Sequence, residues 1–314
     1  MVTQQSQSGI LAPVPRAGRY LFFSLAQPQA LRDGLSRLAR LPVSETRVLG
    51  LGLDTLAALG AGAVARVPGM RQLPAMSGPG VQVPSTPFAL WCWLRGDDQG
   101  DLVNNSRELE QTLAPAFRVE RVVDAFRYGR GPSGHGRDLT GYEDGTENPE
   151  GEAALSAALV QGRGPGLDGS SFVAVQQWRH DFAAFESMST QAQDNMMGRR
   201  RSDNEELEDA PESAHVKRTA QEGFDPEAFV WRRSMPWAAG HDAGLMFVAF
   251  GKSLDAFEAQ MRRMAGLDDG ITDALFRISQ PVTGAYFWCP PVKDGALDLR
   301  VPMGQGLFAF SKIA

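Results

Sequence analysis

The feature that most constrains this chain is a unit that recurs in both halves: an aromatic strand, a polar turn, then an amphipathic helix. "RYLFFSLAQPQALRDGLSRLAR" runs in that order, and its helix places Leu31, Leu35 and Leu38 on one face. "PFALWCWLRGDDQGDLVNNSRELEQTL" repeats it with a longer turn. "GLMFVAFGKSLDAFEAQMRRMAG" repeats it again, with Leu254, Phe257, Met261 and Met264 at helical spacing. Further strands are expected at "RVLGLGL", "SFVAVQQW" and "TGAYFWC". Each such element must bury its apolar side against another, so the pattern predicts an α+β fold of two half-domains. Each half would have an antiparallel sheet with helices on one face. The halves, residues 1–150 and 151–314, are expected to meet where Gly and Pro are dense, in "YGRGPSGHGRD" and "GRGPGLDG".

Composition narrows the function classes. A hydrophobic content of 43% and a charged content of 22% are those of an ordinary globular chain with a large core. The net charge of −6 argues against nucleic acid as the main partner. No apolar run reaches the ~20 residues needed to span a bilayer, so no membrane partner is expected. The N-terminus "MVTQQSQSGILAPVPRAG" has no basic region followed by an apolar one, which argues against a secretion signal. Cys92 and Cys289 sit in apolar aromatic runs without a CxxC or Cys/His cluster, and read as buried free thiols in a reducing cytoplasm.

The loop "TGYEDGTENP" concentrates Glu143, Asp144 and Glu147 around Gly145. Gly and Asn-Pro exclude a long helix, and the lack of apolar alternation excludes a strand. A solvated turn with capping acids is one reading; a carboxylate aimed at a site is the other. Of the four histidines, His135 lies in a Gly-rich loop and His241 in a turn, while His180 follows a strand beside Asp181. His215, in "PESAHVKRT", follows the acidic run "SDNEELEDAPES", which reads as a solvated loop. Met188, Met196 and Met197 read as helix core. Zinc-hydrolase and serine-hydrolase motifs are absent, and "GRGPGLDG" is not a phosphate-binding loop.

"RDLTGYEDGTENP", followed about 70 residues on by "SAHVKRT" and then by "RRSMPW", resembles the dye-decolourising peroxidases, a haem family, and within it the compact bacterial B-type subgroup. "VQQWRHD", "GLMFVAFGKSL", "RMAG" and "PVTGAYFWCP" extend the resemblance over essentially the whole chain. It implies two ferredoxin-like halves in a barrel-like α+β arrangement, with haem b (iron protoporphyrin IX) in the C-terminal half and the distal loop closing the N-terminal half. By resemblance His215 is the axial iron ligand, Asp144 the distal acid and Arg232 the distal cation. Ser234 stands where many relatives carry Asn, and strand alternation puts it on the face of Arg232.

Several further expectations attach to that site. Asp273 in "DDGITDALF" is the expected acceptor for the other nitrogen of His215, with Asp269 second. Gly141 and Gly145 would let the loop approach the cofactor closely. Glu147 would be a helix-start acid. Arg218 would pair with a haem propionate or else form a surface salt bridge. Phe247 and Phe250 would wall the pocket, though ordinary core aromatics fit as well. The implied activity is haem-dependent reduction of hydrogen peroxide with dyes, phenols or other one-electron donors. A haem- or porphyrin-handling protein of the same fold would share every site residue, and a cofactor-free ferredoxin-like binding module is the rival from another class. The resemblance also implies a homo-oligomer, and "GLFAFSKIA" shows no evident encapsulin-targeting tail.

Overall fold

A computed structural model of the chain describes residues 5–304, so the expectation about "GLFAFSKIA" lies outside the described residues. The N-terminal half supplies strands β1 (Ala17–Leu25) and β2 (Arg47–Leu51), the short pair β3 (Met76–Gly78) and β4 (Val81–Val83), then β5 (Leu90–Gly96) and β6 (Phe117–Phe126). The C-terminal half supplies β7 (Ser171–His180), β8 (Trp231–Arg232), β9 (Met235–Ala239), β10 (Asp242–Gly251), β11 (Ser279–Pro281) and β12 (Ala285–Cys289), then the pair β13 (Val292–Lys293) and β14 (Ala296–Leu297). Neighbouring strands follow the order β7-β12-β2-β5-β1-β6-β9-β10, and β10 pairs back onto β7. Eight antiparallel strands, four from each half, therefore close into one barrel. Closure leaves those strands no open edge. Two short strands add to it, β8 on β10 and β11 on β7.

Side chains alternate through the barrel wall. Tyr20, Phe22, Trp91, Trp93, Val175, Val248 and Phe287 fill the interior. Leu21, Phe23, Leu90, Leu94, Trp178, Ala249 and Trp288 point outward to the helical layer. Both faces are buried, which is why "YLFF" and "LWCWL" read as unbroken apolar runs. The same alternation puts Cys92 outside and Cys289 inside, both buried as free thiols.

It also corrects one expected pocket residue. Phe247 and Phe250 are three apart in a strand whose side-chain period is two, so they cannot share a face. Phe247 faces out towards the helix Asp255–Met264, its ring centroid 5.9 Å from that of Phe257. Phe250 is fully buried in the barrel interior, 6.4 Å from Trp91, and walls no outer pocket.

The helices Leu31–Ala39 and Gln99–Leu113 cover the N-terminal half, the first burying Leu31, Leu35 and Leu38. Asp98 caps the second by accepting from the Asp101 N–H. Asp255–Met264 covers the C-terminal half with Phe257, Met261 and Met264, carrying acids in its first turn and arginines in its last, as its dipole favours. Met196 packs with Tyr142 and Phe185 in a small separate cluster. Among the described residues no helix is long and apolar enough to cross a membrane.

Candidate functional site

The site forms where the outer face of β7 and β10 meets the helix Asp255–Met264, the short helix His215–Arg218 and the loop that holds Asp144. Two adjoining cavities share Asp144, His180, His215, Arg232 and Leu245, and so form one cleft. The outer part encloses about 1100 Å³ including its open mouth. The inner part, about 580 Å³, is walled by Trp178, Phe247, Phe257, Met261, Met264 and Leu275. It is concave and apolar with a few polar groups converging on it, the usual form of a cofactor site.

His215 opens its short helix directly after Ala214. Its Nδ1 donates to Asp273 Oδ2 at 2.8 Å, and the other oxygen of Asp273 accepts from the Leu275 N–H at 2.8 Å. The Asp273 N–H in turn donates to the Met264 carbonyl at 2.8 Å, so the carboxylate is fixed at both ends. A carboxylate can only accept, so Nδ1 carries a proton, and in the neutral imidazole Nε2 is the nitrogen with the lone pair. That nitrogen has no hydrogen-bond partner among the described residues, and His215 lines both parts of the cleft. Asp269, the second expected acceptor, is engaged elsewhere. Both its oxygens bind Arg218 at 2.7 Å, and Arg218 also donates to the Arg263 carbonyl at 2.7 Å. This corrects the expected cofactor role of Arg218. It is 4% exposed, tied to the helix end, and lines none of the cleft.

Gly141 and Gly145 have φ of +88° and +78°, a conformation that side chains disfavour. Gly145 lines the cleft. Gly141 does not; its open side meets Arg201, so its requirement is conformational and it makes no close approach to the cleft. Between them the Asp144 N–H donates to the Gly136 carbonyl at 2.8 Å. Glu143, in the wall of the outer cleft, accepts from the Ser133 N–H and hydroxyl. Glu147 pairs with Arg199, and the next helix begins at Gly151, so Glu147 is not its first-turn acid.

Burial pushes the Asp144 carboxyl above the usual range, with the nearby Asp138 adding to the rise; Arg232, His215 and the Gly145 N–H oppose it without cancelling it. Asp138 has the opposite balance. Burial raises it, but hydrogen bonds from His180 and Thr140 outweigh burial and hold it below the usual range. His180 donates through Nε2 to Asp138 at 3.1 Å and meets Ser279 Oγ through Nδ1 at 2.7 Å.

Arg232 ends β8, its backbone paired with Ala249 of β10. Asn148 clamps that backbone from the loop: Arg232 N–H donates to Asn148 Oδ1 at 2.8 Å, and Asn148 Nδ2 donates to the Arg232 carbonyl at 3.1 Å. This two-point tie fixes Asp144 and Arg232 relative to each other. The Arg232 guanidinium makes no ion pair at contact distance among the described residues, and its Nε is buried without a partner. The Arg233 guanidinium lies 3.7 Å over the Trp231 ring. Ser234 is buried beside Arg232 in a third adjoining cavity that also includes Asp144, and its Oγ accepts from the Val248 N–H at 3.4 Å. Asp138, His180 and Asn148 are site residues that sequence reading did not assign. An Asn before Pro signals a turn, but nothing local says that its amide reaches a strand far along the chain.

A family model described as "Dyp-type peroxidase, C-terminal" matches residues 135–294. A dye-decolorizing peroxidase of Rhodococcus erythropolis is 30% identical over 90% of this chain and 85% of its own length. One of Mycolicibacterium paratuberculosis is 31% identical over 69% of this chain; that match spans 62% of the relative, less than two thirds of its length. Among solved structures, a variant of DypB from Rhodococcus jostii RHA1 in complex with heme superposes with a TM-score of 0.81 at 26% identity, covering 91% of this chain and 96% of the other.

Proposed function

The chain belongs to the dye-decolourising peroxidase family, and from that premise we propose a haem-dependent peroxidase that reduces hydrogen peroxide and oxidises dyes, phenols or other one-electron donors. One observation carries the assignment of the site. A histidine with Nδ1 locked to a buried carboxylate presents a free Nε2 in the same cleft as an acid and an unpaired cation.

The residues present fit haem b. His215 would hold the haem iron through Nε2, and its carboxylate partner Asp273 would strengthen that donation. Phe247, Phe257, Met261, Met264 and Leu275 offer the apolar wall that a flat macrocycle needs. When bound, haem supplies a redox-active iron with one open coordination position.

The protein's own groups handle protons and charge. Asp144 takes the proton from one peroxide oxygen and returns it to the other as the O–O bond breaks. Arg232 stabilises the negative charge that develops on the departing oxygen. Ser234 adds a hydroxyl on the same side. Peroxide takes up two electrons and two protons to give two waters, and two donor molecules each return one electron. Donors too large for the cleft would pass their electrons in from the protein surface.

The finer reading includes the B-type subgroup, an N-terminal half of residues 1–150 and a haem-binding half of 151–314, a cytoplasmic location and a homo-oligomer of closed symmetry. Sedimentation that finds only a single-chain species at micromolar concentration would reject the oligomer. The functional reading is tested by an absorption spectrum of the haem-loaded protein before and after one equivalent of peroxide. A Soret band that shifts on mixing and returns when a phenol is added is the expected result. A haem-loaded protein that leaves peroxide unconsumed would overturn it.

A further inference from the structure

The segment that precedes β1 lies against the barrel as a strap. Gln7 anchors it: its side-chain amide donates to the carbonyls of Leu49 at 2.8 Å and Pro290 at 3.1 Å, and accepts from the Leu49 N–H at 2.8 Å. Ser8–Ile10 make a single helical turn, and Ile10 is fully buried in the barrel-interior cluster. From there to β1 the backbone has no regular structure, yet four successive carbonyls accept from side chains. Ile10 accepts from Trp231 Nε1 at 2.9 Å and Leu11 from Arg233 Nη2 at 3.2 Å. Ala12 and Pro13 both accept from Arg95.

Two of those donors are cations removed from water. Arg95 is 4% exposed. Burial lowers the Arg233 guanidinium to about 10, with the Arg95 charge adding to the fall, so it stays charged near neutrality. Neither makes an ion pair at contact distance among the described residues. A buried charge is costly unless it is hydrogen-bonded, and the strap carbonyls supply those acceptors.

Trp231 and Arg233 are the two chain neighbours of Arg232. The Arg233 Nη1 also donates to the Arg232 carbonyl at 3.2 Å, the same oxygen that accepts from Asn148. Strap and loop therefore converge on one peptide unit. β8 is only two residues long, against ~5–6 for an ordinary strand, so its own ladder holds that unit weakly. A guanidinium lies at the end of a long side chain, and a small tilt of its backbone is magnified at the tip.

We propose that the N-terminal strap belongs to the distal machinery, with Trp231 and Arg233 as positioning residues that aim Arg232. This rests on the peroxidase reading and names what holds its fixed cation in place.

The experiment uses the haem-loaded protein and two variants. Trp231→Phe keeps a ring beneath Arg233 but loses the N–H that holds Ile10. Ile10→Ala loosens the strap without changing any side chain of β8. The first measurement is fluoride affinity of the ferric protein, because an anion at the open coordination position accepts from the nearest fixed donor. The second is the stopped-flow rate of the Soret change on mixing with peroxide. Both variants are expected to lose roughly tenfold in each, less than the ~10²–10³ for removing such a donor outright. Haem content and the resting spectrum should not change. A lower melting temperature with fluoride affinity and peroxide rate unchanged would overturn the proposal, leaving the strap a structural element. A loss confined to Trp231→Phe would overturn it too, assigning the effect to the indole alone. Fluoride affinity that falls in both variants, in a protein whose wild type consumes no peroxide, would refute the peroxidase reading and leave the strap's role standing.

Discussion

Replacing Arg232 with Leu removes a charge that does little else in the structure. Its guanidinium has no contact ion pair among the described residues and a buried, unpartnered Nε, while its backbone is held independently by Asn148 and by β10. The fold should therefore survive, and haem should stay bound, since the side chain ligates nothing. What is lost is a fixed donor aimed at developing negative charge in a site screened from water. Removing one such donor costs roughly 2.7–4 kcal/mol of barrier, or about 10²–10³ in rate. Asp144→Asn should cost less near neutral pH, because water or buffer can carry part of the proton traffic, whereas nothing mobile replaces a fixed cation. The assay is stopped-flow mixing with peroxide, following the Soret change from pH 4 to 8. Arg232→Lys, which keeps the charge but not the fork, should recover part of the rate. A near-wild-type rate in Arg232→Leu would refute the electrostatic argument.

Three further outcomes follow from the geometry. Burial raises the Asp144 carboxyl, so the folded state holds that proton more tightly than the unfolded chain. Stability from it is present at low pH and lost as pH rises through the raised value. Asp144→Asn should therefore melt higher than wild type at neutral pH, with the gap closing under acid; a lower melting temperature at pH 7 would contradict this. Asn148→Ala leaves the Arg232 N–H and carbonyl without their loop partner and should cost about 1–3 kcal/mol of stability, while also slowing the peroxide step. Denaturant unfolding with no change in midpoint would show that the clamp is idle. Phe250→Ala should cost about 3–5 kcal/mol with haem affinity intact, whereas Phe247→Ala should weaken haem binding, as pyridine haemochrome assay after gel filtration would reveal.

What could be read from sequence was what local pattern determines. Leu31, Leu35 and Leu38, and likewise Phe257, Met261 and Met264, announce their helices through spacing alone. Strand runs such as "LWCWL" give their identity but not their partners. Closure of the barrel rests on β7 pairing with β10 and on β12 pairing with β2, contacts between segments remote in sequence. The error at Phe250 came from counting it beside Phe247 where strand period sets them on opposite faces. Of the two readings of Arg218, the salt bridge is the one formed, and only the packed helix end brings it to Asp269, 51 residues away. The pairing of His215 with Asp273 was legible as chemistry, a histidine needing an acceptor, although the choice between Asp273 and Asp269 depended on the fold. Asn148 before Pro149 signalled only a turn, and nothing local pointed to its clamp on Arg232.

The central claim is that His215 holds the cofactor through a nitrogen whose partner nitrogen is locked to Asp273. It is tested most directly by the absorption spectrum of haem-reconstituted His215→Ala, with and without added imidazole, beside that of the wild type. The account predicts that the variant loses haem or holds it weakly without the five-coordinate histidine spectrum, and that imidazole filling the vacated space restores it in part. A variant that keeps the wild-type spectrum and haem affinity would contradict the account and move the ligand to another residue of the cleft, His180 first among them.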